Sequence, residues 1–265
     1  MHKLFVFDVD GTLLPAVDSK ISKATIEAVN SLLKQGHAVC IASGRPYSGI
    51  YPFLSQFNDG LKFAGIANGS ELRSFEGEIL WGRYLNMDDF VHFAKKYSNR
   101  DDLSVYAFGA DDCLYFYKDS AFTEMELSTN KMKPVKIKGE ISPRPLTKVM
   151  VAASNEEDAR SLTLTREEGS RYQFTRSGPY YFEVIPLGTG KEVCTEQLCL
   201  HLGIAKDDVY CFGDSPNDLA MIANYHGVAM GNAVDIVKEK AEIITKASID
   251  DGIAYALRDI LHFVD

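Results

Sequence analysis

Two carboxylates stand two residues apart in Asp8-Val9-Asp10-Gly11-Thr12, immediately after the apolar run Leu4 to Phe7. At the carboxyl end of a buried strand, where open α/β sheets hold their ligands, both can turn into one crevice. Gly11 lets the backbone bend sharply and come close to a ligand, and Thr12 offers a hydroxyl and an amide to phosphate oxygens. A calcium loop shares the D-x-D-G string. That alternative fails because a glycine at loop position six puts Val6 at position one, where an acidic ligand is needed.

Three further segments carry reactive or anion-binding groups. Ser43 and Gly44, in Ala42-Ser43-Gly44-Arg45-Pro46, follow a second apolar strand, and Ser43 can donate to a phosphate oxygen. Lys191 opens a helix after Gly188-Thr189-Gly190, near the helix's positive end, where a cation that serves structure alone is disfavoured. The segment matches neither a P-loop, which needs a hydroxyl where Glu192 stands, nor a dinucleotide fingerprint, whose third glycine is Val193. Gly213-Asp214-Ser215-Pro216-Asn217-Asp218 follows a third strand, Val209 to Phe212, and a single turn brings Asp214 and Asp218 to one side. Taken alone, that last segment also fits a helix cap.

Delivered to one sheet edge, Asp8, Asp10, Asp214 and Asp218 repel by about 4 kcal/mol for a pair at 4 Å and an effective dielectric near 20. A cation must offset them. Oxygen donors with few histidines select magnesium, which needs only two or three protein oxygens because it keeps several waters. An ion so held, with Lys191 beside it, would bind an anion, most naturally a phosphoryl group.

The elements that must position these residues alternate. Buried strands are expected at Leu4–Phe7, Ala38–Ala42 and Phe63–Ala67, with helices over 22–35 and 47–57 and a hairpin over 71–80 turning at Glu76-Gly77. From about Gly82 the texture changes to a helix around Phe90 and Tyr97 and adjacent strands over 103–108 and 113–118. An irregular stretch with Pro134, Pro143 and Pro145 follows, then a strand over 149–153, a charged helix over 155–168, and strands over 172–175 and 180–185. Alternation resumes with a helix over 191–202, closed by Gly203, and strands over 209–212, 227–230 and 242–245. The fold class expected is α/β: a Rossmann-like doubly wound parallel sheet core, residues 1–82 and 187–265, carrying an inserted α+β cap domain, residues 83–186.

With 265 residues, 46% of them hydrophobic, the chain can bury such a core and an insertion. A formal charge of -9 and no basic block argue against nucleic acid as a partner. No apolar run suits a signal peptide or a membrane span, and the five cysteines form no C-x-x-C pair. A cytoplasmic protein, monomeric or weakly homo-oligomeric and without a membrane partner, is the expectation.

The four segments resemble the four motifs of the haloacid dehalogenase superfamily. Leu4 to Leu13, Ala42 to Pro46, Asn68-Gly69, Phe212 to Asp218, Val228 to Asn232 and Asp251 to Ala254 look like its Cof-type branch, whose insertion is a type IIB cap. Gly190-Lys191-Glu192 stands where that branch commonly reads Ser-Lys-Gly. The resemblance implies a magnesium-dependent phosphatase acting on a small phosphomonoester. Asp8 would be the nucleophile that becomes an aspartyl phosphate, and Asp10 the acid and base. It further implies magnesium on the Asp8 carboxylate, the Asp10 backbone carbonyl and Asp214, with Asp218 in or next to that shell. Thr12, Ser43, Gly44, Asn217 and Lys191 would bind the phosphoryl group. A phosphomutase and a phosphometabolite sensor are the competing readings. The Ser-Gly-Arg-Pro form looks more like hydrolases, and a sensor has no use for a second carboxylate at Asp10. Substrate choice is expected from the insertion, with Arg176 and Tyr180 of the Arg176–Tyr181 segment, and Arg45, as candidate contacts.

Overall fold

The structure is a computed structural model describing residues 2–15, 20–139, 142–176 and 178–264. Two sheets organise it. Strands β1 (Leu4–Phe7), β2 (Ala38–Ala42), β3 (Lys62–Ile66), β4 (Glu71–Ser74) and β5 (Ile79–Gly82) come first along the chain. Then follow β6 (Leu103–Gly109), β7 (Cys113–Phe116), β8 (Lys133–Lys136), β9 (Leu146–Ala153), β10 (Tyr172–Thr175) and β11 (Tyr181–Pro186). The chain ends on β12 (Val209–Gly213), β13 (His226–Ala229) and β14 (Ile243–Ile244).

The first sheet has the order β14-β13-β12-β1-β2-β3-β4-β5 and is parallel as far as β3. Alternate side chains of β1 face opposite layers, so the sheet is covered twice. Phe5 and Phe7 pack with Val29 and Leu32 of helix α1 (Lys23–Lys34), whereas Leu4 and Val6 join the cluster that holds Cys194 and Leu198. The hairpin β4–β5 turns at Gly77, whose φ of +91° suits glycine. Helix α2 (Tyr47–Leu54) follows β2.

The second sheet, β10-β11-β9-β6-β7-β8, is antiparallel except for the edge pair β7–β8. Pro134 sits in β8, the edge position where a missing N–H is tolerated. One face of this sheet, with Val149, Val151, Phe182 and Val184, packs on Phe90 and Phe93 of helix α3 (Met87–Lys96). The other face carries Tyr106, Phe108, Met150 and Ala152.

Several elements depart from the sequence expectation. The stretch after β7 contains helix α4 (Ala121–Asn130), entered through a reciprocal cap between Ser120 and Thr123. Its buried stripe is Thr123, Glu126 and Asn130, so apolar periodicity could not reveal it. The charged helix is only α5 (Glu156–Ser161). It ends where Leu162 turns extended, and Thr165 and Glu168 then cap each other around a separate short turn. Strand β9 starts at Leu146, three residues earlier than expected. Helix α6 (Lys191–Leu202) ends on Gly203 in the left-handed region, as expected, and α7 (Leu219–Asn224) lies beyond Asp218. Among the described residues, no helix is long and apolar enough to cross a membrane.

Candidate active site

The parallel register of the first sheet assembles the site. Phe7 pairs with Phe212 on one side and Ile41 on the other. Strands about 4.8 Å apart therefore put Asp8, Asp214 and Ser43 side by side at their carboxyl ends. Carboxylate oxygens of Asp8, Asp214 and Asp218 lie within 4.8 Å of one another, and all three residues are buried. Gly11, at φ +89°, allows that approach, since a β-carbon there would run into the Asp214 carboxylate.

Lys191 is the cation of this cluster. Its Nζ lies 2.6 Å from Asp8 Oδ1 and 2.5 Å from Asp218 Oδ1. Gly69, at φ +81°, lets the backbone pass tightly over Gly190 and seats the start of α6 beneath the carboxylates. Burial above all, then the charge on Asp218, pushes the Asp8 carboxyl well above the usual range, against the pull of Lys191. Burial and Asp218 likewise raise Asp214 to about 6. Burial works to lower Lys191, but Asp218 and Asp8 outweigh it and keep the ammonium charged.

The carboxylate oxygens of Asp214 and the second oxygen of Asp218 are bonded within the site. Asp214 Oδ1 accepts from the Thr12 hydroxyl at 2.9 Å, and its Oδ2 accepts from the Ser215 hydroxyl at 3.0 Å. Asp218 Oδ2 accepts from the backbone N–H groups of Asp214 and Ser215, both at 3.0 Å. Asp10 stands apart from the cluster with its side chain 42% exposed. Arg45 grips it with two bonds, Nε to Oδ2 at 2.9 Å and a terminal nitrogen to Oδ1 at 2.5 Å. Ser43 Oγ accepts from the Arg45 N–H at 3.2 Å.

These residues floor a cavity of about 250 Å³ that the second sheet and α4 roof over. Asp8, Asp10, Ser43, Gly44, Arg45 and Asn217 face Phe108, Met125, Glu126, Asn130, Lys148, Met150 and Tyr181 across it. Strand period decides the roof: Lys148 and Met150 on β9, and Tyr181 and Glu183 on β11, alternate with residues packed against α3. Lys148 Nζ donates to Gly44 O at 2.8 Å and to Glu183 Oε2 at 2.7 Å. Asn68 Nδ2 donates to the same Glu183 oxygen at 2.9 Å, and Asn217 Nδ2 to Asn68 Oδ1 at 3.0 Å.

Of the residues singled out from sequence, Asp8, Asp214, Asp218, Lys191 and Thr12 are brought together, with Ser43, Gly44, Asp10, Arg45 and Asn217 on the adjoining cavity wall. The structure does not bring Arg176 and Tyr180 there. Arg176 donates to the carbonyls of Ala159 and Leu162 and lies over the rings of Phe174 and Phe182, so its cation serves packing. Tyr180 precedes β11 and is exposed, whereas Tyr181, one position on, lines the cavity. Residue 177 of that segment lies outside the described residues. Lys148, Glu126 and Asn130 escaped the sequence reading. Glu183 interrupts an otherwise apolar strand between Phe182 and Val184, a signal that marks it.

The sequence profile of the haloacid dehalogenase-like hydrolases matches residues 5–257. The chain is 28% identical to the 5-amino-6-(5-phospho-D-ribitylamino)uracil phosphatase YitU of Bacillus subtilis, over 97% of this chain and 96% of that protein. It is 30% identical to an HMP-PP phosphatase of Yersinia pestis, over 91% of this chain and 88% of that protein. A solved haloacid dehalogenase-like hydrolase from Bacteroides thetaiotaomicron superposes with a TM-score of 0.84 at 28% identity, over 98% of this chain and 100% of that one. With the profile spanning nearly the whole chain and the fold shared throughout, this protein belongs to the haloacid dehalogenase-like hydrolase family and is an enzyme whose relatives are named phosphatases.

Proposed function

We propose that this enzyme is a magnesium-dependent phosphatase that hydrolyses a small phosphomonoester through an aspartyl phosphate on Asp8. One observation carries the reading: three buried carboxylates meet within 4.8 Å around a single ammonium, beside a fourth held by an arginine. The donor set is all oxygen and is short of positive charge, which fits a hard divalent cation. Magnesium on Asp8, the Asp10 backbone carbonyl and Asp214, with Asp218 beside them, would offset the charge of those carboxylates and of the phosphoryl oxygens.

The chain's own groups do the rest. A carboxylate oxygen of Asp8 bonds to phosphorus as the ester oxygen leaves, and Asp10 gives that oxygen its proton. Asp10 then takes a proton from the water that attacks the aspartyl phosphate. Ser43, Thr12, Gly44, Asn217 and Lys191 hold the phosphoryl oxygens, and Arg45 keeps Asp10 turned to the leaving group. Residues 83–186 form the cap, and 1–82 with 187–265 the core. Five unpaired cysteines, four of them buried, support a cytoplasmic enzyme, and it acts as a monomer or weak homo-oligomer. Phosphate release from an aryl phosphate with magnesium, and its loss in excess chelator, is the expected result. Full turnover in chelator, or none with magnesium, would overturn the reading.

A further inference from the structure

Helix α6 begins at Lys191 itself, and its N-cap, Gly190, has no side chain with which to cap the first turn. Lys191 is nonetheless fully buried and placed closely enough to bond both Asp8 and Asp218. What holds the entry to this helix belongs to the second sheet. The backbone of β10 pairs with β11 as far as Tyr172 opposite Pro186. Beyond Pro186 the chain leaves the ladder and turns at Gly188, with φ +72°. There the Gln173 side chain of β10 continues the pairing: Oε1 accepts from the Gly188 N–H at 3.0 Å, and Nε2 donates to the Thr189 carbonyl. Thr189 is buried and returns its hydroxyl to the Pro186 carbonyl at 2.7 Å, while Arg83 donates to the Leu187 carbonyl at 3.0 Å.

We infer that Gln173 is a positioning residue for Lys191: it stands in for the missing helix cap and ties the ammonium that grips the phosphoryl group to the seat of the second sheet. The inference rests on the phosphatase reading of the site. An amide that bonds through both its ends to consecutive residues fixes their path, and only Gly190 separates Thr189 from Lys191. Gly190 cannot absorb a shift, because its carbonyl lies directly under Gly69, where even a β-carbon would collide with it. A displacement at Gly188 and Thr189 therefore passes to the start of α6. Packing alone does not call for an amide at position 173, which is half-buried at the edge of its sheet and would be filled as well by leucine. Misplacing a group that must meet an oxyanion by about 1 Å can cost up to 10²-fold.

The test measures two dissociation constants of the full chain by calorimetry: that of magnesium, and that of inorganic phosphate with magnesium present. Gln173→Leu should weaken phosphate by about threefold to thirtyfold. Magnesium should stay within about twofold, because its proposed donors follow β1 and β12 and not α6. A Gln173 that serves the fold alone would lower the melting temperature and change neither constant, since a binding constant does not depend on how much of the sample is folded. Unchanged phosphate affinity in a folded variant, an equal loss of magnesium, or no phosphate binding by the wild type would each overturn the inference. Should Gln173→Leu not fold, Gln173→Asn, one methylene too short to reach both backbone groups, decides by the same constants. Aryl phosphate left unhydrolysed by a wild type that binds phosphate would sink the phosphatase reading and leave the placement of Lys191 by Gln173 intact.

Discussion

Glu183 of the second sheet accepts a hydrogen bond from Asn68 Nδ2 of the first at 2.9 Å, across the seam between the two. Asn68 holds the left-handed turn that follows β3, at φ +57°, and passes the contact on to Asn217 beside the carboxylate cluster. Lys148 closes the arrangement by binding both Glu183 and the Gly44 carbonyl. The roof therefore touches the loops that follow β2, β3 and β12 through a buried polar chain. Such a chain is costly when incomplete and directional when complete.

Removing one member of the buried pair exposes that cost. Lys148→Met leaves the Glu183 carboxylate, fully buried, without its ammonium, and should destabilise the protein by about 3–5 kcal/mol. Lys148→Met combined with Glu183→Gln should recover a large part of this. Urea denaturation of the two variants checks the sign and the recovery, and simple additivity would show that the two residues are not coupled.

The nucleophile assignment predicts a separation of activity from stability. Asp8→Asn should lower kcat by about 10⁴-fold or more, since an amide cannot attack phosphorus. The metal-free variant should be no less stable than the parent, because the ionised Asp8 is disfavoured by burial and by Asp218 and Asp214. Phosphate release and thermal melting are measured on the same preparation. A variant that is both inactive and strongly destabilised would point to a structural role.

How far the sequence alone reached depended on which signal each residue left. Asp8, Asp214 and Ser43 follow apolar runs of four or five residues, and a buried parallel strand leaves that signature locally. Glu126 and Asn130 left none, because α4 buries a polar stripe where the periodic rule looks for an apolar one. Lys148 and Glu183 are single charges inside apolar strands, and only cross-strand register brings them together. The Arg176–Tyr181 segment offers a cation and two adjacent rings, and alternation along β11 turns Tyr181 to the cavity while Tyr180, just before the strand, stays exposed.

Arg45 tests whether Asp10 must be held. Its two bonds fix the carboxylate in a plane that a lysine cannot reproduce. Arg45→Lys should lower kcat by about tenfold, and Arg45→Met by up to the roughly 10²–10⁴-fold that acid–base catalysis contributes. The loss should be smaller on an aryl phosphate with an acidic phenol, which needs less protonation on leaving. Equal losses on alkyl and aryl esters would place Arg45 in phosphate binding rather than in orienting Asp10.

The raised pKa of Asp214 gives the metal-free protein a pH dependence of definite sign. Burial and Asp218 lift it to about 6, above an unfolded value near 3.9. Between those two values the folded chain binds the proton that the unfolded chain has lost. The stabilising contribution is therefore full below about pH 4 and is lost as pH rises through 6. At roughly 1.4 kcal/mol per unit the whole effect is about 2–3 kcal/mol. Urea unfolding in chelator, comparing the parent with Asp214→Asn at pH 5 and pH 7.5, reads it together with its effect on the neighbouring Asp8. The parent should lose stability relative to the variant on going to the higher pH. Added magnesium should reduce that difference, since the ion binds the ionised carboxylate and favours the folded state by mass action. A difference that grows with magnesium, or that runs the other way in chelator, would mean that Asp214 is not a buried carboxylate crowded by like charges and open to the ion.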